Sequence, residues 1–161
     1  VEATTAWLPE NKPRYLMGVG SPEDIVEGVA CGIDLFDSAL PTRVARNGAL
    51  FTGQGRVDVR NAVYRQMKQP VDPDCDCYTC RTFSAAYLHH LFSNEEMLVY
   101  RLATIHNLTF MSRLMQKIRV AIGDGTFKSF REEFLAGYRL TNEPVRLEQK
   151  RKGRRVIDIS R

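Results

Sequence analysis

Apolar and polar positions near the start of this chain predict one strand–helix–strand unit. Residues 14–20 form an apolar run that ends in glycines, which indicates a short buried strand followed by a tight turn. Ser21 then stands where a helix cap is needed, and Pro22 suits the first turn, where its missing N–H costs nothing. Gly32 is expected to end this helix in a left-handed conformation. A second strand over residues 33–40 would be a parallel neighbour of the first.

Regular patterns continue along the rest of the chain. Alternation on both sides of a Gly-Gln-Gly turn predicts a β-hairpin over residues 50–60. Residues 84–92 are expected to form a short helix, and residues 95–122 a longer one, with apolar side chains three or four positions apart. Aromatic residues from Phe127 to Tyr138 mark a last amphipathic helix. One βαβ unit cannot close a sheet, so the chain belongs to a larger α/β domain or takes strands from elsewhere.

The composition suits one compact domain, since 43% of the 161 residues are hydrophobic. We expect no membrane span and no signal peptide, because no apolar run is long enough for either. A chain that starts with Val1 is expected to be a fragment or a processed product. The net charge of +4 is compatible with a polyanionic partner. Much of that charge lies in a basic tail over residues 141–161, which is either a solvated end or a segment that touches RNA.

Three of the four cysteines lie within six residues of one another: Cys75, Cys77 and Cys80. They are too close together for a secreted disulfide framework, so we expect a cytoplasmic protein whose clustered thiols bind metal. Three thiolates and one imidazole are the donors of a closed, structural zinc site. A histidine on the long helix would let the metal join that helix to the cysteine loop. Spacing alone does not choose the fourth ligand among His89, His90 and His106.

Candidate chemistry also lies at the end of the second strand. Asp37 comes near the carboxyl end of that strand, where parallel α/β folds place their reactive groups. Asp34 is expected on the opposite face, because side chains alternate along a strand. One carboxylate is therefore a candidate nucleophile or base, although spacing alone favours an ordinary structural role. Arg43 and Arg46, expected on a loop, suit phosphate or base-edge recognition, with surface ion pairing as the alternative.

Several motifs together resemble one bacterial enzyme family, tRNA-guanine transglycosylase, also called queuine tRNA-ribosyltransferase. The matching segments are Tyr15-Leu16-Met17-Gly18-Val19-Gly20, Gly32-Ile33-Asp34-Leu35-Phe36-Asp37, Leu40-Pro41-Thr42-Arg43, Ala45-Arg46-Asn47-Gly48, the cysteine run and Thr104-Ile105-His106-Asn107. The resemblance extends from about Lys12 to Tyr138. It implies an α/β fold, namely the C-terminal portion of a (β/α)8 TIM barrel with an inserted zinc-binding subdomain.

The resemblance also implies how the chain is divided. Residues 12–48 would be the final βαβ unit of the barrel with the nucleophile strand. Residues 49–122 would hold the hairpin and the zinc-binding subdomain, and residues 123–140 the closing barrel helix. The resemblance assigns one structural Zn²⁺ to four ligands: Cys75, Cys77, Cys80 and His106.

Members of this family exchange guanine at the tRNA wobble position for a 7-deazaguanine, which is preQ1 in bacteria, as a step of queuosine biosynthesis. The resemblance implies that Asp37 is the nucleophile that forms a covalent intermediate with the ribose, and that Met17 and Gly18 pack on the base. It implies RNA contacts from the first turn through Gly18, Val19, Gly20, Ser21, Pro22, Glu23 and Asp24. It implies further RNA contacts from the loop that holds Thr42, Arg43, Val44, Ala45 and Arg46.

The resemblance leaves part of the enzyme outside this chain. The family's general acid/base aspartate and the residues that read the base edge belong to its N-terminal half, so we expect the isolated chain to be inactive. Bacterial members form homodimers through an aromatic patch, which Phe83, Tyr87 and His90 would match on one helical face; an intramolecular core is the alternative. A non-catalytic, zinc-stabilised module that binds RNA or a partner subunit is the competing function. A DNA-binding zinc finger lacks support, since paired Cys2His2 spacing and a basic recognition helix are missing.

Overall fold

The structure, a computed structural model, describes residues 1–139. The basic tail predicted over residues 141–161 lies outside the described residues. In chain order the elements are α1 Glu2–Thr5, β1 Tyr15–Met17, α2 Pro22–Ala30, β2 Leu35–Asp37, α3 Leu40–Arg46, β3 Ala49–Thr52, β4 Gly55–Asp58, the 3-10 turn Ala62–Tyr64, α4 Tyr78–Thr82, α5 Ala85–Ser93, α6 Met97–Gly123 and α7 Phe127–Gly137.

Residues 15–37 form the βαβ unit that the sequence predicts. Strands β1 and β2 pair in parallel, with Leu16 opposite Phe36. The Ser21 hydroxyl caps α2 by accepting a hydrogen bond from the backbone N–H of Asp24 at 3.3 Å. Gly32 follows the helix with φ +82°, the left-handed conformation expected for it. These contacts confirm the predicted order of strand, capped helix and parallel strand.

The second strand is shorter than predicted, and the segment after it has a different structure. The strand predicted over residues 33–40 covers only Leu35–Asp37, and Leu40 begins α3 instead. The expected loop over residues 42–46 is wrong, because it forms most of this helix. Pro41 explains the change: proline cannot donate to a strand ladder, but it suits the first turn of a helix.

The chain after α3 forms an antiparallel hairpin and a helical subdomain. Strands β3 and β4 pair with Leu50 opposite Val57, which confirms the predicted hairpin. The Thr52 hydroxyl donates a hydrogen bond to the Gly55 carbonyl at 2.8 Å across the turn. The predicted helices over residues 84–92 and 95–122 correspond to α5 and α6, and the predicted aromatic helix corresponds to α7.

Helix α6 connects the βαβ unit to the hairpin and the helical subdomain, because it takes part in three separate hydrophobic clusters. Its first half packs with the hairpin and α5 in a cluster that includes the fully buried Leu50, Leu88 and Leu102. Its second half contributes Leu114 and Ile118 to a cluster with α2 and α7. Phe110 and Met111, between those two regions, pack against a small cluster formed by α3 and β3. The helix thereby fixes the hairpin subdomain relative to the βαβ unit.

The β1–β2 sheet has two strands within the described residues. Tyr15, Met17 and Leu35 on these strands are each at least half exposed. An exposed apolar surface on a short parallel pair agrees with the prediction that one βαβ unit does not complete a domain. Across residues 1–139, no helix combines the length and apolar character that a membrane crossing needs.

Candidate functional site

The three clustered cysteines and one histidine meet at a single point. The ligand atoms of Cys75, Cys77, Cys80 and His106 all lie within 4.8 Å of one another. Cys77, Cys80 and His106 are buried, and Cys75 is partly buried. This geometry settles the choice that spacing left open. His89 and His90 instead form hydrogen bonds on the outer part of α5, with the Val59 carbonyl and Asn94 respectively.

The hydrogen bonds of His106 identify its ligand atom. Its Nε2 lies 2.7 Å from the carbonyl oxygen of Phe51, and since a carbonyl only accepts, Nε2 carries the proton. The other nitrogen, Nδ1, faces the sulfurs of Cys80 and Cys77 at 3.3 and 3.6 Å. A metal-binding imidazole commonly donates its second N–H to a backbone carbonyl, which fixes the orientation of the ring. Nδ1 is therefore the nitrogen that points to the metal position.

The proton affinities of the thiols show why a cation belongs at this point. Hydrogen bonds from Cys75 and Cys80 lower the pKa of Cys77 to about 2. Hydrogen bonds with Cys75 and, to a smaller extent, with Cys77 raise the pKa of Cys80 far above its usual range. Three adjacent thiols cannot all ionise without a positive charge between them, and Zn²⁺ supplies that charge. Four sulfur and nitrogen donors leave no open position, so the predicted Cys3His set fits one structural zinc ion.

Local structure places the cysteines with little freedom. The Cys77 sulfur caps α4 by accepting the backbone N–H of Cys80 at 3.4 Å. Thr79 is fully buried, and its hydroxyl donates to the Leu102 carbonyl at 2.7 Å, which holds α4 against α6. No pattern in the sequence predicts α4, because its cap is a metal-binding thiol rather than one of the usual hydroxyl or carboxylate caps.

A second polar site lies where β1 and β2 end. The Tyr15 hydroxyl donates to Oδ1 of Asp37 at 2.7 Å, and the Gly18 N–H donates to the same oxygen at 3.2 Å. Gly18 has φ +75°, a conformation that favours glycine and lets its N–H turn toward the carboxylate. Oδ2 has no hydrogen-bond partner among residues 1–139 and lies on an exposed residue. One carboxylate oxygen is thus anchored by two donors, whereas the other has no such anchor within residues 1–139.

The neighbours of Asp37 differ from those of the other candidate carboxylate. Met17 is directly opposite Asp37 in the strand register and is 73% exposed, so both open onto the same edge. Asp34 precedes β2 and accepts the backbone N–H of Arg14 at 2.8 Å, a contact that joins two parts of the chain. Sequence reasoning missed Tyr15 as a partner of Asp37. Its position, two residues before Met17 on the same face of β1, is the signal that could have found it.

The two segments expected to contact RNA contain both exposed and buried side chains. Gly20, Ser21 and Pro22 are buried in the turn, and a Cβ at Gly20 would overlap the Ser38 side chain. In α3, Val44 and Ala45 face the core, whereas Arg43 and Arg46 are exposed. No ion pair within residues 1–139 involves either arginine. Both guanidiniums therefore remain available to a ligand, and RNA contact stays a prediction. The other members of the two segments, Val19, Glu23, Asp24 and Thr42, are half-buried.

The aromatic residues before and on α5 form a small surface cluster. Phe83 stacks on Tyr87 with ring centres 5.1 Å apart, and Tyr78 meets Phe83 edge-on at 5.8 Å. The expectation that Phe83, Tyr87 and His90 share one helical face is wrong. Ser84 caps α5, so Phe83 lies before that helix. Tyr78 joins the cluster from α4, a contact that sequence spacing did not reveal.

Comparison with known proteins identifies a family that matches most of the chain. A family model described as Queuine tRNA-ribosyltransferase matches residues 1–140. A queuine tRNA-ribosyltransferase of Dehalococcoides mccartyi is 62% identical over 152 residues, covering 94% of this chain and 39% of that protein. Proteins of the same name from Dictyoglomus turgidum and Herpetosiphon aurantiacus are 52% and 54% identical, covering 92% and 91% of this chain but 38% and 37% of their own lengths.

The chain thus spans about two fifths of the length of the curated relatives that it matches. The shared part holds the zinc ligands, the Asp37 strand and the helix that joins them. With the family model matched over most of its length, the chain belongs to the queuine tRNA-ribosyltransferase family.

Proposed function

We propose that this chain is the C-terminal part of a tRNA-guanine transglycosylase in which Asp37 is the nucleophile. One observation carries the proposal, which is the placement of the Asp37 carboxylate at the ends of two parallel strands. Tyr15 and Gly18 donate hydrogen bonds to one of its oxygens, and the other oxygen has no partner among the described residues. A nucleophilic carboxylate must stay ionised and be held rigidly in line with the bond to be broken. The barrel that would complete the β1–β2 sheet is part of the same proposal.

The proposed reaction consists of two successive substitutions at the same carbon, C1′ of the target ribose. Oδ2 of Asp37 bonds to C1′ of the target ribose as the bond from C1′ to guanine breaks, and a general acid protonates the departing base. The incoming preQ1 then loses a proton to a base and bonds to C1′, which breaks the bond to Asp37 and restores the carboxylate. The target nucleotide must leave the base stack before C1′ can be reached. Met17 and Gly18, beside Asp37, would pack on the base.

The substrate in this proposal is the anticodon loop of tRNA. Arg43 and Arg46 are exposed on α3, which begins three residues after Asp37, and guanidinium groups bind phosphate oxygens in pairs of hydrogen bonds. The turn over residues 18–24 borders the same strand end. RNA contact there would come from the backbone and from the half-buried Val19, Glu23 and Asp24, because the side chains of Ser21 and Pro22 face inward.

The chain needs further parts for catalysis. It spans about two fifths of its relatives' length. By the family resemblance, the general acid/base aspartate would belong to the remaining part. We therefore propose that the isolated chain has no base-exchange activity. The cytoplasm, where thiols remain reduced, is the compartment that suits the free cysteines of the zinc site.

We also propose that the complete protein is a homodimer through the aromatic cluster of Tyr78, Phe83 and Tyr87, with His90 beside it. Tyr87 and Tyr78 are 38% and 53% exposed, and aromatic side chains are enriched at protein interfaces. Sedimentation of the full-length protein should give a dimer, and Tyr87→Ala should shift it toward monomer. An unchanged dimer in that variant would remove this surface from the interface.

Trapping the covalent intermediate tests the main proposal. The chain is mixed with tRNA and with the N-terminal portion of a relative, supplied as a separate polypeptide, and the mixture is denatured and run on a gel. A complex that survives denaturation is expected with the wild-type chain and is expected to vanish with Asp37→Asn. Asp34→Asn is the matched control, and it should leave the complex in place. An adduct that persists in Asp37→Asn would contradict the assignment of the nucleophile.

The same experiment separates the enzyme from the competing function, a non-catalytic zinc module that binds RNA. The exposed arginines of α3 are compatible with that module as well. A module of that kind would retain tRNA in a native gel without any denaturation-resistant complex. That result, obtained with an N-terminal portion shown to fold, would favour binding over catalysis.

A further inference from the structure

Asn107 is a fully buried polar residue that neither the metal site nor the proposed chemistry uses directly. It follows His106 on α6 and makes three hydrogen bonds to distant parts of the chain. Its Oδ1 accepts the backbone N–H of Phe51 at 3.0 Å. Its Nδ2 donates to the carbonyl of Ala49 at 3.0 Å and to the carbonyl of Pro41 at 2.9 Å. The carboxamide thus uses both donors and its acceptor inside the core.

These contacts join the metal site to the outer edge of the hairpin. Strand β3 pairs with β4 on one side, and His106 and Asn107 bind the backbone groups of its other side. His106 Nε2 donates to the Phe51 carbonyl, and Asn107 accepts the N–H of that same residue. Two consecutive residues of α6 therefore fix β3, and one of them is a zinc ligand.

The third contact, to the Pro41 carbonyl, reaches the start of α3, close in sequence to the proposed nucleophile. Pro41 lies four residues after Asp37 and forms part of the first turn of α3, the helix that carries Arg43 and Arg46. Its carbonyl receives the Asn107 amide in a fully buried position. An apolar replacement of the same size would remove all three hydrogen bonds and leave the buried N–H of Phe51 and the buried carbonyl of Ala49 without these partners. An amide side chain supplies the two donors and the acceptor that these contacts use.

We propose that Asn107 is a positioning residue that holds the segment from Asp37 to Arg46 in register with the zinc site. The metal orients His106, and its neighbour Asn107 transmits that orientation to the start of α3. The catalytic part of this inference rests on the function proposed above, whereas the mechanical part does not. A displacement of about 1 Å at a reacting group can lower a rate by roughly a hundredfold.

Amide hydrogen exchange on the zinc-loaded chain tests the mechanical part. Asn107→Asp keeps the acceptor for Phe51 but replaces both donors with a carboxylate that repels the two carbonyls. We expect at least about tenfold faster exchange at Arg43 and a smaller change at Phe51, whose acceptor is kept, with one zinc per chain retained and with Ile25 and Phe130 unaffected. Asn11→Asp, an exposed change of equal charge, is the matched control and should change none of these rates.

Two results would overturn the mechanical part. Unchanged exchange at Arg43 would show that the Pro41 contact does not hold α3. Equal acceleration at all four amides, or loss of folding in both Asn107→Asp and the milder Asn107→Ser, would show a general structural role instead of a positioning one.

Single-turnover formation of the tRNA adduct, with the N-terminal portion supplied, tests the catalytic part. Asn107→Asp should lower the maximal rate at least about tenfold while the tRNA concentration for half-maximal rate changes less than about threefold. A change confined to that concentration, or an unchanged maximal rate, would overturn the catalytic role. If the wild-type protein forms no adduct, it is the proposed function that fails, and the exchange experiment still decides the mechanical role.

Discussion

At the scale of single residues, Asp37 is a carboxylate that is restrained through only one of its two oxygens. Tyr15 and Gly18 both bind Oδ1, so the group is fixed through one oxygen only. The backbone donor comes from a glycine with positive φ, where a larger residue would be strained. Oδ2 remains unpartnered among the described residues, and both Asp37 and its register partner Met17 are exposed. The result is a carboxylate whose direction is set by its neighbours.

The Tyr15 hydroxyl reports on this arrangement through its own ionisation. Its hydrogen bond to Asp37 raises its pKa above the ordinary value for tyrosine, with further contributions from burial and from the charge of Asp37. A raised pKa means that the contact stabilises the fold below the ordinary tyrosine pKa, and that this stabilisation is lost as the pH rises through the raised value. NMR titration of ring-labelled tyrosine should show that Tyr15 ionises at a higher pH in the wild-type chain than in the Asp37→Ala variant. Identical titration curves in the two proteins would mean that the hydrogen bond is not formed in solution.

At the scale of secondary-structure elements, α6 carries the metal ligand, the buried asparagine and residues from both main clusters. The zinc site joins its middle to the cysteine loop and to α4, which is too short to be stable alone. We therefore expect the ion to stabilise the contact between two helices and a hairpin, in addition to the Thr79 hydrogen bond and the surrounding hydrophobic cluster. Metal binding and folding are coupled in small sites of this kind.

Removing the metal should unfold this subdomain. Cys80→Ser replaces a thiolate with a hydroxyl, which is a poor zinc ligand, so helical circular dichroism should fall and zinc content should drop well below one per chain. Cys31→Ser is the matched control, because Cys31 lies outside the cluster and should leave both quantities unchanged. Retention of full helical signal in a zinc-free Cys80→Ser protein would show that packing alone supports the subdomain.

Particular elements show what could be predicted from the sequence. The βαβ unit, the hairpin and the long helices were predictable, because their caps, turns and apolar spacing are local features. The helical form of residues 42–46 was not predicted, although Pro41, which suits the first turn of a helix, was a local signal for it. Spacing alone did not choose the fourth zinc ligand, whereas the family resemblance assigned His106. The structure confirms that assignment, because α6 brings His106 to the sulfurs while His89 contacts the Val59 carbonyl.

At the scale of the whole molecule, the described part leaves an open face on its small parallel sheet. Tyr15, Met17 and Leu35 expose apolar surface there, and the relatives carry more than half of their length outside the shared part. Exposed apolar surface of this kind marks an interaction site in soluble proteins. We expect the rest of the protein to cover this face and to complete the sheet.

A charge placed on this face should weaken its association with the missing portion. Leu35→Arg removes an apolar contact worth about 1.5–3 kcal/mol on burial, so the dissociation constant for the separately supplied N-terminal portion should rise at least about tenfold. Val63→Arg, at an exposed apolar position on the 3-10 turn, is the matched control. Calorimetry gives both constants, and equal affinity for the two variants would place the interface elsewhere.

The central claim is that one zinc ion, bound by three sulfurs and by Nδ1 of His106, holds the helix that supports the Asp37 segment. X-ray absorption at the zinc edge of the purified chain tests it most directly. The account predicts one zinc per chain, with three sulfur neighbours at about 2.3 Å and one nitrogen at about 2.0–2.1 Å. A His106→Ala protein should lose the nitrogen signal. A first shell dominated by oxygen, or a chain without stoichiometric zinc, would contradict the claim.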